Sequence, residues 1–312
     1  MTESFFAALK VVIPMMILLV LGYLSRTGNL ITRPAMKEFD RLIFKFFMPV
    51  LLFKNIYEMD FSQGFLIKEM AFTGVSLLLI FIFCTYFPRL LTQDGNKSSV
   101  IGQAVGRGNY ILFGVAVSEA LYGEGNVGAV VMLGVLVIPA INIFAAVILE
   151  LNRSGKANPL KLFIAVLKNP MIIGAILAFI FKFFAVSIPA PIWSAVRSVA
   201  NSTTTVSFIS LGVGLEMPEG GDKRLLAWGT FLRLIVLPVI FMPLSILMGF
   251  REQSLCALMV VFAAPSAVAS YPMAVAMGAD GKLAGQLVCV TTILSVFTIF
   301  LLTLALKTFG LM

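Results

Sequence analysis

The chain contains no histidine and three cysteines in 312 residues, and only 12% of its residues carry a charge. Without histidine, zinc-protease motifs of the HExxH kind and histidine proton relays are excluded. Cys84, Cys256 and Cys289 lie far apart inside apolar runs, where a thiol behaves as a small apolar side chain. No GxGD acid pair, phosphate-binding loop or GxSxG elbow occurs, so an intramembrane enzyme is not expected, and no cofactor or metal is implied. No stretch between apolar blocks exceeds about a dozen residues, which argues against a soluble receptor or scaffold domain.

What the chain does have is hydrocarbon. Hydrophobic residues make up 60% of it, in blocks that repeatedly reach the ~20 residues needed to cross a ~30 Å bilayer core. The formal charge of +8 does not point to nucleic acid, because the basic residues lie mostly between apolar blocks rather than along one stripe. The first block, FFAALKVVIPMMILLVLGYL, follows an acidic residue and precedes no small-residue cleavage site, so it reads as a retained span.

Spans are expected at about 5–24, 35–56, 65–87, 99–122, 127–150, 161–185, 192–216, 225–249, 253–277 and 281–307. Ten spans put both termini on one side. Arg26, Arg33, Lys37, Arg89, Lys97, Arg153, Lys156, Lys161, Lys223, Arg224 and Lys282 fall on the other side, against Lys10, Lys54, Lys68, Lys182, Arg251 and Lys307 on the side of the termini. By the positive-inside rule this multi-pass chain sits in the cytoplasmic membrane with both termini outside.

The polar stretch LNRSGKANPLK divides the chain into a first five-helix repeat, 1–151, a cytoplasmic linker, 152–160, and a second five-helix repeat, 161–312. An odd number of spans per half makes the halves inverted copies. A shift of 155 positions lays Gly123 on Gly278, and a shift of 157 lays MPVLLF beside TVSFIS. Spans four and nine are then partners, and both carry helix breakers: Gly106, Gly108 and Gly114 in one, Pro265 and Pro272 in the other. The expected fold is an all-α membrane protein with crossed, broken fourth and ninth helices. Unwound backbone at that depth survives only if it is buried in protein or lines a cavity.

In the order FFMPVLLFKNI, GNYILFGVAVSEALYG, SLGVGL and AAPSAVASYPMAVAMGAD, the chain resembles the auxin efflux carrier family, which includes the plant PIN transporters and bacterial permeases for small carboxylates. It departs from the family's usual pattern at Ala116 and near Val206 or Ser207, where prolines are common. The resemblance implies ten spans in two inverted repeats, outward termini, Asn109 at the crossing with Pro265 and Pro272 on its partner, and a homodimer. It also implies that the polar residues of span seven line a cavity. Asn201, Ser202, Thr204, Thr205 and Ser207 are too many hydrogen-bonding groups for a lipid face, although about half of them are expected to serve interhelical bonding.

Arg107 is the charge that demands a partner. No acid lies within one helical turn, so a distant acid such as Asp40, a position at the cytoplasmic interface, or an anionic substrate must account for it. With Asn109, Asn201, Thr204, Thr205, Ser207, Ser266 and Ser270 it makes the expected substrate shell. Asp40 and Glu119 are candidates for coupling to a proton or sodium ion, but Asp40 reads first as the partner of Arg41 or Lys45, and Glu119 as a residue of a solvated mouth. Lys182 and Arg197 are expected to snorkel. The expected function is secondary transport of a small mono- or dicarboxylate by alternating access around a midplane crossing. A sodium-coupled organic-anion symporter of the bile-acid type, a channel, and a non-transporting receptor or scaffold stand as alternatives.

Overall fold

A computed structural model describes residues 2–58, 67–123, 126–153, 164, 167–168, 170–215 and 222–312. The expected linker, the start of span six and the tip at 124–125 lie largely outside these residues. The helices are α1 (Thr2–Thr27), α2 (Arg33–Leu42), α3 (Met48–Glu58), α4 (Ile67–Tyr86), α5 (Pro88–Leu91), α6 (Gly95–Gly106), α7 (Tyr110–Tyr122), α8 (Gly128–Arg153), α9 (Pro170–Phe183), α10 (Ala190–Gly214), α11 (Asp222–Phe231), α12 (Leu237–Leu247), α13 (Glu252–Ala263), α14 (Ser270–Ala276) and α15 (Gly281–Thr308). One π-helical turn, Ile43–Phe47, joins α2 to α3, and another, Leu232–Val236, joins α11 to α12.

Local chemistry sets the ends. The Thr32 hydroxyl accepts from the Ala35 amide at 3.4 Å, the Asp94 carboxylate from the Asn96 amide at 2.9 Å, and the Asp280 carboxylate from the Leu283 amide at 2.9 Å. Each side chain takes up one of the amide donors that a helix start leaves free. Gly123 ends α7 at φ 94° and Gly278 follows α14 at φ 76°, backbone states that other residues adopt only with strain. These are the two glycines that the 155-residue shift superposes.

Among the described residues four helices are long and apolar enough to cross a membrane: Ile67–Leu91, Gly128–Leu151, Lys223–Leu247 and Gly281–Thr308. Their outer faces stay apolar, as with Val75, Leu78, Leu79 and Ile82 on α4 and Val239, Ile240, Leu244 and Leu247 on α12, all exposed. Exposed apolar stripes of this size fit lipid, not water. Inside, α1 lies against α10 with Gly22 facing Gly212, and a Cβ at either glycine would run into the partner's backbone.

The interruptions fall in two apolar segments. α6 stops at Gly106 and α7 begins at Tyr110; α13 stops at Ala263 and α14 begins at Ser270. The loose segments satisfy each other. The Asn109 amide donates to the Pro265 carbonyl at 2.8 Å and the Ala267 amide to the Arg107 carbonyl at 2.9 Å, forming an antiparallel bridge between Gly108 and Ser266. Two donors and two acceptors of the interrupted backbone are thereby paired with each other.

Two of the expected breakers do not break anything. Gly114 sits inside the continuous helix α7, packed so tightly on Val130 of α8 that a Cβ there would lie 2.5 Å from Cγ1. Pro272 stands in the first turn of α14, where its missing donor costs no helical bond.

Candidate functional site

A cavity of about 330 Å³ opens beside the crossing. Its walls come from α3 (Met48 to Asn55), the break and first turn of α7 (Arg107 to Leu112), α8 (Ile138 to Asn142), α10 (Ala200 to Ser207) and the break before α14 (Ala267 to Ala269). The break positions α7 so that its first turn faces the cavity. Amides at such a start have no acceptor behind them, and Asn109, at the cap position, makes no capping bond with its side chain.

Arg107 is 3% exposed and lines this cavity. Its guanidinium donates to Asn142 Oδ1 at 2.5 Å and to Met273 Sδ at 3.6 Å. Asn142 is itself oriented by donating to the Ile138 carbonyl at 2.7 Å. Among the described residues no carboxylate pairs with Arg107, and Asp40 does not reach it. A guanidinium carries five N–H donors. The bonds to Asn142 and Met273 use two of them.

The opposite wall carries Lys54, whose ammonium donates to Asn201 Oδ1 at 3.2 Å and lies 3.4 Å from Glu58. Glu58 also holds Arg197 at 2.8 Å, so Arg197 is ion-paired and not simply snorkelling. Side-chain exposure rises along this series, 19% for Lys54, 32% for Glu58 and 55% for Arg197, which marks the way out to the surface.

The expected shell is therefore partly assembled. Arg107, Asn109, Asn201, Thr204 and Ser207 line the cavity together with Gly108. Thr205 is exposed on the outer face of α10, and Ser202 donates back to the Ser198 carbonyl. Ser266 is fully buried, donating to the Ala104 carbonyl at 2.8 Å, and its amide donates to the Thr291 hydroxyl, so it belongs to the crossing and not to the cavity. Ser270 is buried off the cavity with no described partner. Glu119, near the end of α7, lies outside the cavity as well.

Three residues were missed. Lys54 and Asn142 are cavity residues whose signal was a polar group within an apolar run. Arg233, 1% exposed and in the π-helical turn after α11, is the third. Its guanidinium donates to the carbonyls of Ala264 at 2.6 Å, Val105 at 2.9 Å and Val261 at 3.1 Å. These are the carbonyl ends of α6 and α13, where helix dipoles leave negative charge. The crossing thus turns its amide ends toward the cavity and its carbonyl ends toward Arg233.

A second cavity, about 610 Å³, lies at the C-terminal end of α10. α2 and α10 line it with Pro34, Met36, Asp40, Val213 and Gly214, and Tyr271, Gly278 and Lys282 face them. Asp40, 1% exposed, accepts a hydrogen bond from the Ser210 hydroxyl. The expected pairing of Asp40 with Arg41 or Lys45 is not found. Arg41 turns to Glu38, at 3.2 Å on the exposed face, and Lys45 is exposed one helical turn on.

The Escherichia coli (strain K12) protein named Uncharacterized transporter YfdV is 24% identical over 265 residues, covering 82% of this chain and 83% of its own. The Methanocaldococcus jannaschii protein named Uncharacterized transporter MJ1031 is 24% identical over 310 residues, covering 94% and 97%. The family described as Membrane transport protein matches residues 7–162 and 159–303, so this integral membrane chain belongs to that family, the auxin efflux carriers.

Proposed function

We propose that the protein is a secondary transporter that carries a small organic anion, a mono- or dicarboxylate, across the cytoplasmic membrane. One observation carries the reading: Arg107 is buried at the wall of the first cavity, and no carboxylate among the described residues partners it. A buried cation of that kind is costly unless something negative comes to it. The anion's carboxylate would take the guanidinium fork, with the first-turn amides of α7, the Asn109 side-chain amide and the α10 hydroxyls around it.

Alternating access about the crossing is the mechanism this arrangement supports. Two cavities lie at different points along α10, one of them beside a crossing whose backbone is pinned by its own bridge. The reading takes ten spans with outward termini, in repeats 1–151 and 161–312. The paired glycines Gly123 and Gly278 and the paired interruptions of α6–α7 and α13–α14 favour that symmetry. A thermal-shift screen of purified protein against mono-, di- and aromatic carboxylates tests the substrate class. A ligand at 100 times its Kd stabilises by about 2.7 kcal/mol. No shift with any carboxylate, alongside a shift with a cation or a sugar, would reject it.

A further inference from the structure

Asp40 is not used by the anion cavity, yet it is nearly inaccessible and its one described partner is a neutral hydroxyl, Ser210. A carboxylate withdrawn from water needs compensation, by a cation or by a proton. The charged and titratable groups around it can be named among the described residues. From α14 and α15, Tyr271 and Lys282 face it across the second cavity; Arg26 of α1 is turned to the Val213 and Leu215 carbonyls at the end of α10; α10 contributes none within this wall; Arg41 is engaged by Glu38 and Lys45 is exposed. The side chain of Lys37, on the preceding turn, lies outside the described ones. An alkali cation stripped of water requires a shell of several oxygens. Here one carboxylate and one hydroxyl stand together, and no cluster of acids occurs among the described residues.

We propose that Asp40 is the proton-binding site of the transporter, and that its protonation drives anion accumulation; this rests on the reading of the first cavity as an anion site. The carboxylate takes a proton from solvent through the second cavity, forming the neutral acid, and later returns that proton to water. While ionised, Asp40 accepts a charge-assisted bond from Ser210. Once protonated it carries a hydroxyl of its own, the bond becomes a neutral one, and the hold between α2 and α10 weakens. That hold reaches the anion site directly. Ser210 follows Ser207 by less than one turn on α10, and α2 continues through the π-helical turn into α3, so α10 and the continuation of α2 both wall the first cavity. Thr203 strengthens the link by donating to the Phe47 carbonyl within that turn at 3.3 Å.

The test uses the full chain in sodium-free proteoliposomes with labelled malonate, succinate and phenylacetate as probes. Exchange at equal pH on both sides is compared with accumulation driven by a pH jump of either sign. Wild type is expected to do both for at least one probe. Asp40→Asn should retain exchange and lose the pH-driven accumulation, whereas Ser210→Ala should retain both with a displaced pH profile, which a purely structural contact would not produce. Accumulation that persists in Asp40→Asn, or that requires sodium, overturns the proposal. If wild type exchanges no probe, the anion reading fails separately, and infrared difference spectra across pH decide the proton site alone: a carboxyl band lost in Asp40→Asn upholds it, and the lack of such a band overturns it.

Discussion

Gly108 lies so close to Arg233 that a Cβ at position 108 would overlap the Nη2 atom of the guanidinium. The glycine is required at the break for space, since a side chain there displaces the group that binds three helix-end carbonyls. Gly108→Ala and Arg233→Met are each expected to lower the unfolding temperature in detergent, Arg233→Met by the larger amount. Each buried carbonyl left without a donor costs roughly 1–3 kcal/mol. Arg233→Lys should recover part of the loss, since an ammonium restores the charge but not the planar fork. Unchanged melting in Arg233→Met would show that the carbonyl ends are satisfied some other way.

Lys54 and Arg107 both line the first cavity but differ in their surroundings. Lys54 is 19% exposed along its side chain and already shared between Asn201 and Glu58, so salt screens it and its contribution is small. Lys54→Gln is therefore expected to weaken anion binding several-fold less than Arg107→Gln, with an effect of its own that shrinks further as salt rises. Titration calorimetry at low and high ionic strength measures both. Equal losses at high salt would make Lys54 an inner ligand and not a residue of the mouth.

The orientation expected from the Lys and Arg distribution places position 156 in the cytoplasm and position 124 outside. Both positions lie outside the described residues. Cysteine introduced at 124 should react with an impermeant reagent in intact cells, and cysteine at 156 only after the cells are opened. Labelling at 156 from outside would invert the arrangement.

How much of this was readable in advance follows from the physics of each feature. Apolar length located the helices, because hydrocarbon demands ~20 residues and intrahelical pairing of every backbone group. The breaks were legible from glycine and proline, yet the same residues misled at Gly114 and Pro272, since a glycine that admits a neighbour and a proline in a first turn have the composition of a breaker without the effect. The hydroxyls of α10 could not be sorted, because Ser and Thr bond equally to their own helix or to a cavity, as Ser202 and Ser207 do when they donate to the carbonyl four residues back. Arg233 was missed although it stands alone in an apolar helix, while Arg107, in the same predicament, was marked by its flanking glycines. The partner of Asp40 was misread because sequence spacing offers Arg41 and Lys45, and only the fold brings Ser210, 170 residues away, into contact.

The substrate rests on Arg107, and the two buried guanidiniums supply the comparison. Arg233 spends its donors on three carbonyls, whereas Arg107 has an amide oxygen and a thioether sulfur among its described neighbours, neither of them charged. A thioether is a weak acceptor, so Arg107 keeps bonding capacity that a carboxylate satisfies in bidentate fashion. Asn142 holds the guanidinium in place from behind, donating to the Ile138 carbonyl, which leaves little rearrangement for the anion to induce. Arg107→Gln removes the charge and should weaken carboxylate binding by at least tenfold, corresponding to about 1.4 kcal/mol or more. Arg107→Lys keeps the charge but loses the fork, so its loss should be smaller, and smaller for monocarboxylates bound through one oxygen. Asn142→Ala should raise the Kd less than Arg107→Gln, because it frees the guanidinium without neutralising it. Thermal-shift titration of the three variants with the carboxylate that binds wild type best gives the order directly. An Arg107→Gln protein that binds and transports this anion with wild-type affinity would remove Arg107 from the site, and the carboxylate assignment would fall with it.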